Sequence, residues 1–310
     1  LSESPSKIAQ KIRRLEIQGA RNVAIAAIKA IETLAQKTEA KSKKEFLKEL
    51  HESKETLSAS RETEPLMRNA LRFIVSRVEG TRDKKVKELA KTVSVASQWF
   101  LNALEGSKRQ IAEIGSKRIQ NDSVIFTHCH SSTVTNLLKQ AKQEEKSFEV
   151  ICTETRPLFQ GRITAKEMLD LGVKTTLIVD SAARYFMSQV DLVIVGADAI
   201  TSEGNIINKI GTSTVALIAQ EARTPFYAVC ELLKFDPATM YGDYEKIEER
   251  SPNEIWDKPP KKLIIRNPAF DITRRDFIHG IICEEGIISP QSITEVTRRK
   301  YPWVFNEASV

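Results

Sequence analysis

Past Asp122 the chain repeats one unit: a short run of Val and Ile, then a stretch with apolar residues at helical spacing. The runs fall at 123–127, 149–153, 175–179, 192–195, 226–230 and 262–265, and the helical stretches at 134–143, 162–171, 182–188 and 212–222. Strand–helix alternation predicts βαβ units and a mostly parallel sheet. Strands of such a sheet are covered on both faces, which is why these runs are apolar without a polar alternate. A charged stretch at 236–261 is punctuated by Pro237, Pro252, Pro259 and Pro260 and predicts a loop. Beyond 271 the tail predicts one helical piece and a turn at Glu285-Gly286.

Before Asp122 every pattern is helical. Ile8, Ile12, Leu15, Val23, Ile28, Ile31 and Leu34 recur at helical spacing, with a break at Gly19. A charged amphipathic helix follows at 41–57, then a short loop with Ser60 and Arg61. Pro65 opens another helix, where a proline costs nothing in the first turn, and a long pattern covers 85–119. The expected class is α/β: a helical N-terminal domain, 1–119, followed by a Rossmann-like, mostly parallel sheet domain, 120–310.

Composition narrows the function. No apolar run reaches the ~20 residues that span a bilayer, and the first residues lack the apolar core of a secretion signal. Of the four cysteines, Cys152, Cys230 and Cys283 lie in or beside apolar runs and read as reduced core residues, so the expected compartment is the cytoplasm. The net charge is +6. Lys and Arg alternate with Asp and Glu, without an aromatic-rich basic stripe, which favours a binder of anionic small molecules over a nucleic-acid binder.

Ligands of open α/β sheets bind beyond the carboxyl ends of the strands, and the unusual residues fall there. Thr127-His128-Cys129-His130-Ser131 places a thiol just before a helix N-terminus, whose dipole is expected to lower its pKa. A packed core cysteine would look the same from local sequence. Adjacent His and Cys residues cannot all face one metal, and no CxxC or HxxxH partner exists, so zinc is not expected. Asp198 follows the run that ends at Gly196, where apolar walls would raise its pKa and make it a general acid; a turn-capping Asp is the simpler alternative. Asn208, Lys209 and Gly211-Thr212-Ser213-Thr214 stand at a helix start, where backbone N–H groups can receive phosphate. The stretch is neither a Walker loop nor a dinucleotide fingerprint, which argues against ATP and NAD. Arg156, in Glu154-Thr155-Arg156-Pro157, and Lys234 add cations at neighbouring strand ends.

Taken together, the motifs around Cys129, Arg156, Asp198 and Asn208-Lys209 resemble one superfamily over nearly the whole chain. It joins the alpha, beta and delta subunits of translation initiation factor 2B, methylthioribose-1-phosphate isomerase and the archaeal ribose-1,5-bisphosphate isomerase. The isomerases carry a Cys and an Asp at two of these motifs, as here, and the ending at 281–291 resembles the archaeal bisphosphate branch. The resemblance implies an aldose–ketose isomerase that converts ribose 1,5-bisphosphate to ribulose 1,5-bisphosphate, with Cys129 as base and Asp198 as acid. It implies phosphate anchors at Gln18, Gly19, Ala20, Arg21, Arg61, Asn208, Lys209 and Lys234, with Arg156 nearby, and no metal or redox cofactor. Related isomerases have Arg-Gly-Ala-Gly where this chain has Gln18-Gly19-Ala20-Arg21, so Arg21 stands in question as the replacement guanidinium. The resemblance also implies a homodimer or a hexamer of dimers. Trp303, Val304 and Phe305 near the end read as residues that bury in a partner subunit. The alternative is a regulatory subunit without catalysis that binds translation initiation factor 2.

Overall fold

A computed structural model describes residues 3–61, 63–243 and 246–305. The chain forms two compact units. The first comprises residues 1–106, 233–235 and 297–310, and the second residues 107–232 and 236–296.

In the first unit Ser4 accepts from the Lys7 N–H and starts α1 (Pro5–Arg13). The expected break follows: Gly19, at φ 80°, precedes α2 (Ala20–Lys37). Ser42 caps α3 (Lys43–Ser58), and Pro65 is the first residue of α4 (Pro65–Gly80). α5 (Val86–Ser116) continues across the division at Gly106. α2 packs on α4, α3 on α4, and α1 on α2 and α3. Val23, Ala27, Ile31, Leu50, Leu66 and Ile74 are fully enclosed, and each large aliphatic side chain contributes about 1.5–3 kcal/mol by leaving water.

The last described residues find cover within the chain: the Trp303 ring lies 4.8 Å from Phe73 and 6.2 Å from Phe100 in the same unit. Val304 is buried, its carbonyl accepts from Arg72 Nη2 at 3.0 Å, and Phe305 lies 5.2 Å from Phe235. The apolar tail closes the unit's own core.

The second unit is built on β1 (Ser123–Thr127), α6 (Ser132–Gln143), β2 (Phe148–Thr153), α7 (Gly161–Asp170), β3 (Lys174–Ile178), α8 (Ala183–Phe186) and β4 (Leu192–Gly196). There follow β5 (Ala199–Ile200), β6 (Ile206–Lys209), α9 (Thr212–Ala222), β7 (Phe226–Val229), β8 (Phe270–Thr273), β9 (Gly280–Cys283), β10 (Gly286–Ile288) and α10 (Ile293–Lys300). The main sheet has the order β10-β9-β7-β4-β1-β2-β3, parallel except for β10. Its core includes Ile125, Leu137, Val150, Ile194, Val229 and Ile282. A second, antiparallel sheet, β5-β6-β8, holds the segment between β4 and α9.

One expected strand does not form. Residues 262–265 are irregular, with Ile264 86% exposed. β7 lies between β4 and β9, and the residues of β9 are all buried. The tail carries the expected helical piece as α10 and the expected turn at Glu285-Gly286, which joins β9 to β10, and adds three strands that were not expected.

Candidate active site

Strand order decides where a site can form. From β1 the chain winds outward through β2 and β3, then returns to place β4 on the other side of β1. Beyond the carboxyl ends of β1 and β4 the direction of winding reverses, which is where ligands of doubly wound sheets bind. Cys129 lies two residues past the end of β1, and Asp198 two past the end of β4. Phe126 pairs with Val193, so the two loops leave the sheet side by side.

Local sequence shapes these loops. Ser131 caps α6 by accepting from Val134 N–H. Gly196 ends β4 because a Cβ there would lie 2.7 Å from Ser131 Oγ and 2.8 Å from Ser131 Cβ. Asn208 is buried at the end of β6 and donates from Nδ2 to Thr212 Oγ1 at 3.0 Å. Thr212 in turn donates to the Lys209 carbonyl at 2.6 Å.

Electrostatics ties these residues together and overturns one expectation. Burial pushes the Cys129 thiol up to about 11, against the pull of the Lys209 ammonium and a backbone N–H from His130; the charges of Asp198 and Asp180 push the same way as burial. Desolvation outweighs the Lys209 charge and the His130 N–H, so the lowering expected of a thiol before a helix start is not found. The interactions also establish that Cys129, Asp198 and Lys209 share one electrostatic neighbourhood.

At the start of α9, Gly211 N–H donates to Asp271 Oδ2 at 2.7 Å and Ser213 N–H to Asp271 Oδ1 at 3.1 Å. Asp271, from β8, thus takes two of the N–H groups that were expected to receive a phosphate. Burial raises its carboxyl to about 6, and the two N–H groups oppose the rise. Lys209 lies beside this carboxylate-capped turn with Nζ 5.0 Å from the centre of the Phe270 ring. Sequence reasoning missed Asp271, because only the pairing of β6 with β8 brings it to the helix.

Arg156 is exposed and tethered: Nη2 donates to the Ile255 carbonyl at 3.1 Å, and the guanidinium lies 5.1 Å from the Phe159 ring centre. Asp180, just past β3, was also missed. It accepts the N–H of Thr155 at 2.8 Å and of Arg156 at 2.7 Å, and so fixes the loop after β2. An Asp directly after an apolar run, the signal read at Asp198, would have found it.

The remaining candidates belong to the first unit. Gln18 donates to the Leu15 carbonyl at 2.8 Å, Gly19 accepts from Val23 N–H, and Ala20 begins α2. The Arg21 guanidinium donates to the Leu104 carbonyl at 2.8 Å and pairs with Glu105 at 2.6 Å. Arg61 lies 3.6 Å from the fully buried Glu64. Lys234 is buried in a short segment whose flanking carbonyls, Leu233 and Phe235, both accept from Asn69.

A parallel sheet whose winding reverses between β1 and β4, with a thiol and a carboxyl beyond those two strand ends, defines a doubly wound α/β protein. The family model of the Initiation factor 2 subunit family matches residues 16–290, and the chain belongs to that family. It is 43% identical to the ribose 1,5-bisphosphate isomerase of Archaeoglobus fulgidus, over 93% of this chain and 91% of that one. It is 32% identical to the methylthioribose-1-phosphate isomerase of Desulforamulus reducens, over 91% and 86%. Among solved structures it resembles translation initiation factor eIF-2B of Pyrococcus horikoshii OT3, with a TM-score of 0.81, 31% identity, and 94% and 98% coverage. The chain is an enzyme of the isomerase class.

Proposed function

We propose that the chain interconverts ribose 1,5-bisphosphate and ribulose 1,5-bisphosphate, with Cys129 and Asp198 as its acid–base pair. The observation that carries this reading is their common position past neighbouring strand ends at the winding reversal, within each other's electrostatic reach. The higher identity to the bisphosphate isomerase than to the methylthioribose enzyme supports the choice of sugar.

A phosphate on the anomeric oxygen locks the sugar ring, so the ring must open before a ketose can form. One proton can serve both residues. Passing from the sulfur to the Asp198 carboxylate, it leaves a thiolate base and a carboxylic acid. Asp198 gives it to the ring oxygen as the bond from that oxygen to C1 breaks. Cys129 takes the C2 proton, and a C1=C2 enol phosphate forms. Asp198 then removes the enol hydroxyl proton, the C2 carbonyl forms, and Cys129 returns a proton to C1. Every atom is conserved, and both residues end as they began. Lys209 suits one phosphate as a point charge.

The test is phosphorus NMR of the purified protein with ribose 1,5-bisphosphate, beside methylthioribose 1-phosphate. Turnover of the first is expected, with Cys129→Ser and Asp198→Asn each lowering kcat by on the order of 10²–10⁴ while the fold survives. Turnover that persists in either variant removes that residue from the reaction. The similarity to an initiation factor supports a second reading, a regulatory subunit; it requires a stable complex with initiation factor 2 and no turnover.

A further inference from the structure

Two residues near the thiol hold conformations that side chains rarely adopt. Cys129 has φ 68° and Thr155 φ 61°, both left-handed, and Thr155 is β-branched. Such a backbone is unfavourable for any residue with a Cβ and persists only where its surroundings enforce it. The two residues follow the paired strands β1 and β2 and hold each other: Cys129 N–H donates to Thr155 Oγ1 at 3.0 Å. Thr164 Oγ1 donates to the Cys129 carbonyl at 3.0 Å, so both backbone groups of Cys129 are fixed by threonine hydroxyls.

Behind Thr155 the hydrogen bonds continue in one direction. His128 Nε2 lies 2.8 Å from the Ile210 carbonyl, and a carbonyl only accepts, so Nε2 carries the proton. Nδ1 is then the acceptor, and Thr153 Oγ1 donates its hydrogen bond to it at 2.6 Å. Burial pushes the His128 pKa below its usual value and keeps the ring in this neutral form. Having donated to His128, the Thr153 hydroxyl accepts from Thr155 Oγ1 at 3.2 Å, nearer than that hydroxyl's other acceptor, the Thr153 carbonyl at 3.4 Å. Thr155 Oγ1 in turn accepts from Cys129. At the far end the ring rests against Gly211 (φ 103°), where a Cβ would lie 3.0 Å from both Cε1 and Nε2.

We propose that His128, Thr153 and Thr155 are positioning residues, a relay that fixes the Cys129 backbone and ties it to the loop bearing Lys209. The proposal rests on the reading of Cys129 as the base. It goes beyond that reading by bringing three further side chains into the reaction. The relay, and not either loop alone, sets the spacing between thiol and ammonium.

The experiment compares Thr153→Val, which keeps shape and removes the hydroxyl, with Thr153→Ser, which restores the hydroxyl. Two quantities are read on the full chain: kcat and KM with ribose 1,5-bisphosphate, and the rate at which iodoacetamide modifies Cys129. Thr153→Val is expected to lower kcat on the order of tenfold or more with KM within about twofold, and to shift the Cys129 modification rate by at least about threefold. Thr153→Ser is expected to recover both. The proposal is overturned if Thr153→Val leaves both quantities within about twofold of the parent, or if Thr153→Ser is as impaired as Thr153→Val. Should Thr153→Val not fold, Thr155→Ala is read by the same criteria against Thr155→Ser. If Cys129→Ser still turns over, the base assignment fails, and the modification rate alone still judges the relay.

Discussion

Iodoacetamide modification of Cys129, followed by mass spectrometry of its peptide across neutral and alkaline pH, reads the thiol without any assumption about substrate. With its pKa at about 11, roughly 10⁻⁴ of the sulfur is thiolate at about pH 7, some 100-fold less than in an ordinary cysteine of pKa about 8.5–9. The rarer thiolate is also more nucleophilic, by roughly tenfold over about two pKa units, so the level falls by only about tenfold. Slope is therefore the decisive quantity: the rate should rise tenfold per pH unit with no plateau below about pH 10. The neighbouring charges predict opposite displacements. Asp198→Asn removes a charge that opposes ionisation and should raise the rate at neutral pH; Lys209→Met removes one that favours it and should lower the rate. A plateau below about pH 9, or both variants moving the rate in the same direction, would refute the electrostatic account. If Cys129 and Asp198 share one proton as base and acid, kcat/KM should instead stay flat over the same range and fall as the thiol loses its proton to solvent, since the doubly ionised pair has none to give the ring oxygen.

Two further outcomes concern the scaffold. The Asp271 carboxyl is raised from 3.8 to about 6, so between these values the folded chain holds a proton that the unfolded chain has released. Stability from this group is greatest below about pH 4 and falls as pH rises to about 6, by about 3 kcal/mol in total. Urea unfolding of Asp271→Asn should show that segment missing, with the variant gaining on the parent as pH rises; parallel curves would sink the assignment. Gly196→Ala drives a methyl to within 2.8 Å of Ser131 Cβ and displaces the cap of α6, which should cost about 1–3 kcal/mol; an unchanged melting temperature would show that the loop yields freely.

Much of this was legible in the residues because parallel strands must be apolar and their ends must not be. Cys129 and Asp198 stand out as polar residues directly beyond Val- and Ile-rich runs. The tail was less legible. Leu263-Ile264-Ile265 and Gly280-Ile281-Ile282-Cys283 are similar in chemistry, and only burial separates the exposed loop from the true strand β9. The sign of the Cys129 shift was misjudged because a helix start is visible in sequence and desolvation is not. Thr153 and Asp271 act through strands β2 and β8, whose neighbours are set by the pairing within the two sheets. No local pattern announces such partnerships.

Asp271 gives the turn before α9 its own counter-ion. A loop completed in this way needs no visitor to take shape. An arriving anion would meet an assembled cradle, and little of its affinity would be consumed in ordering the chain. It would also meet a resident negative charge, so recognition there rests on Lys209 outweighing a carboxylate built into the wall.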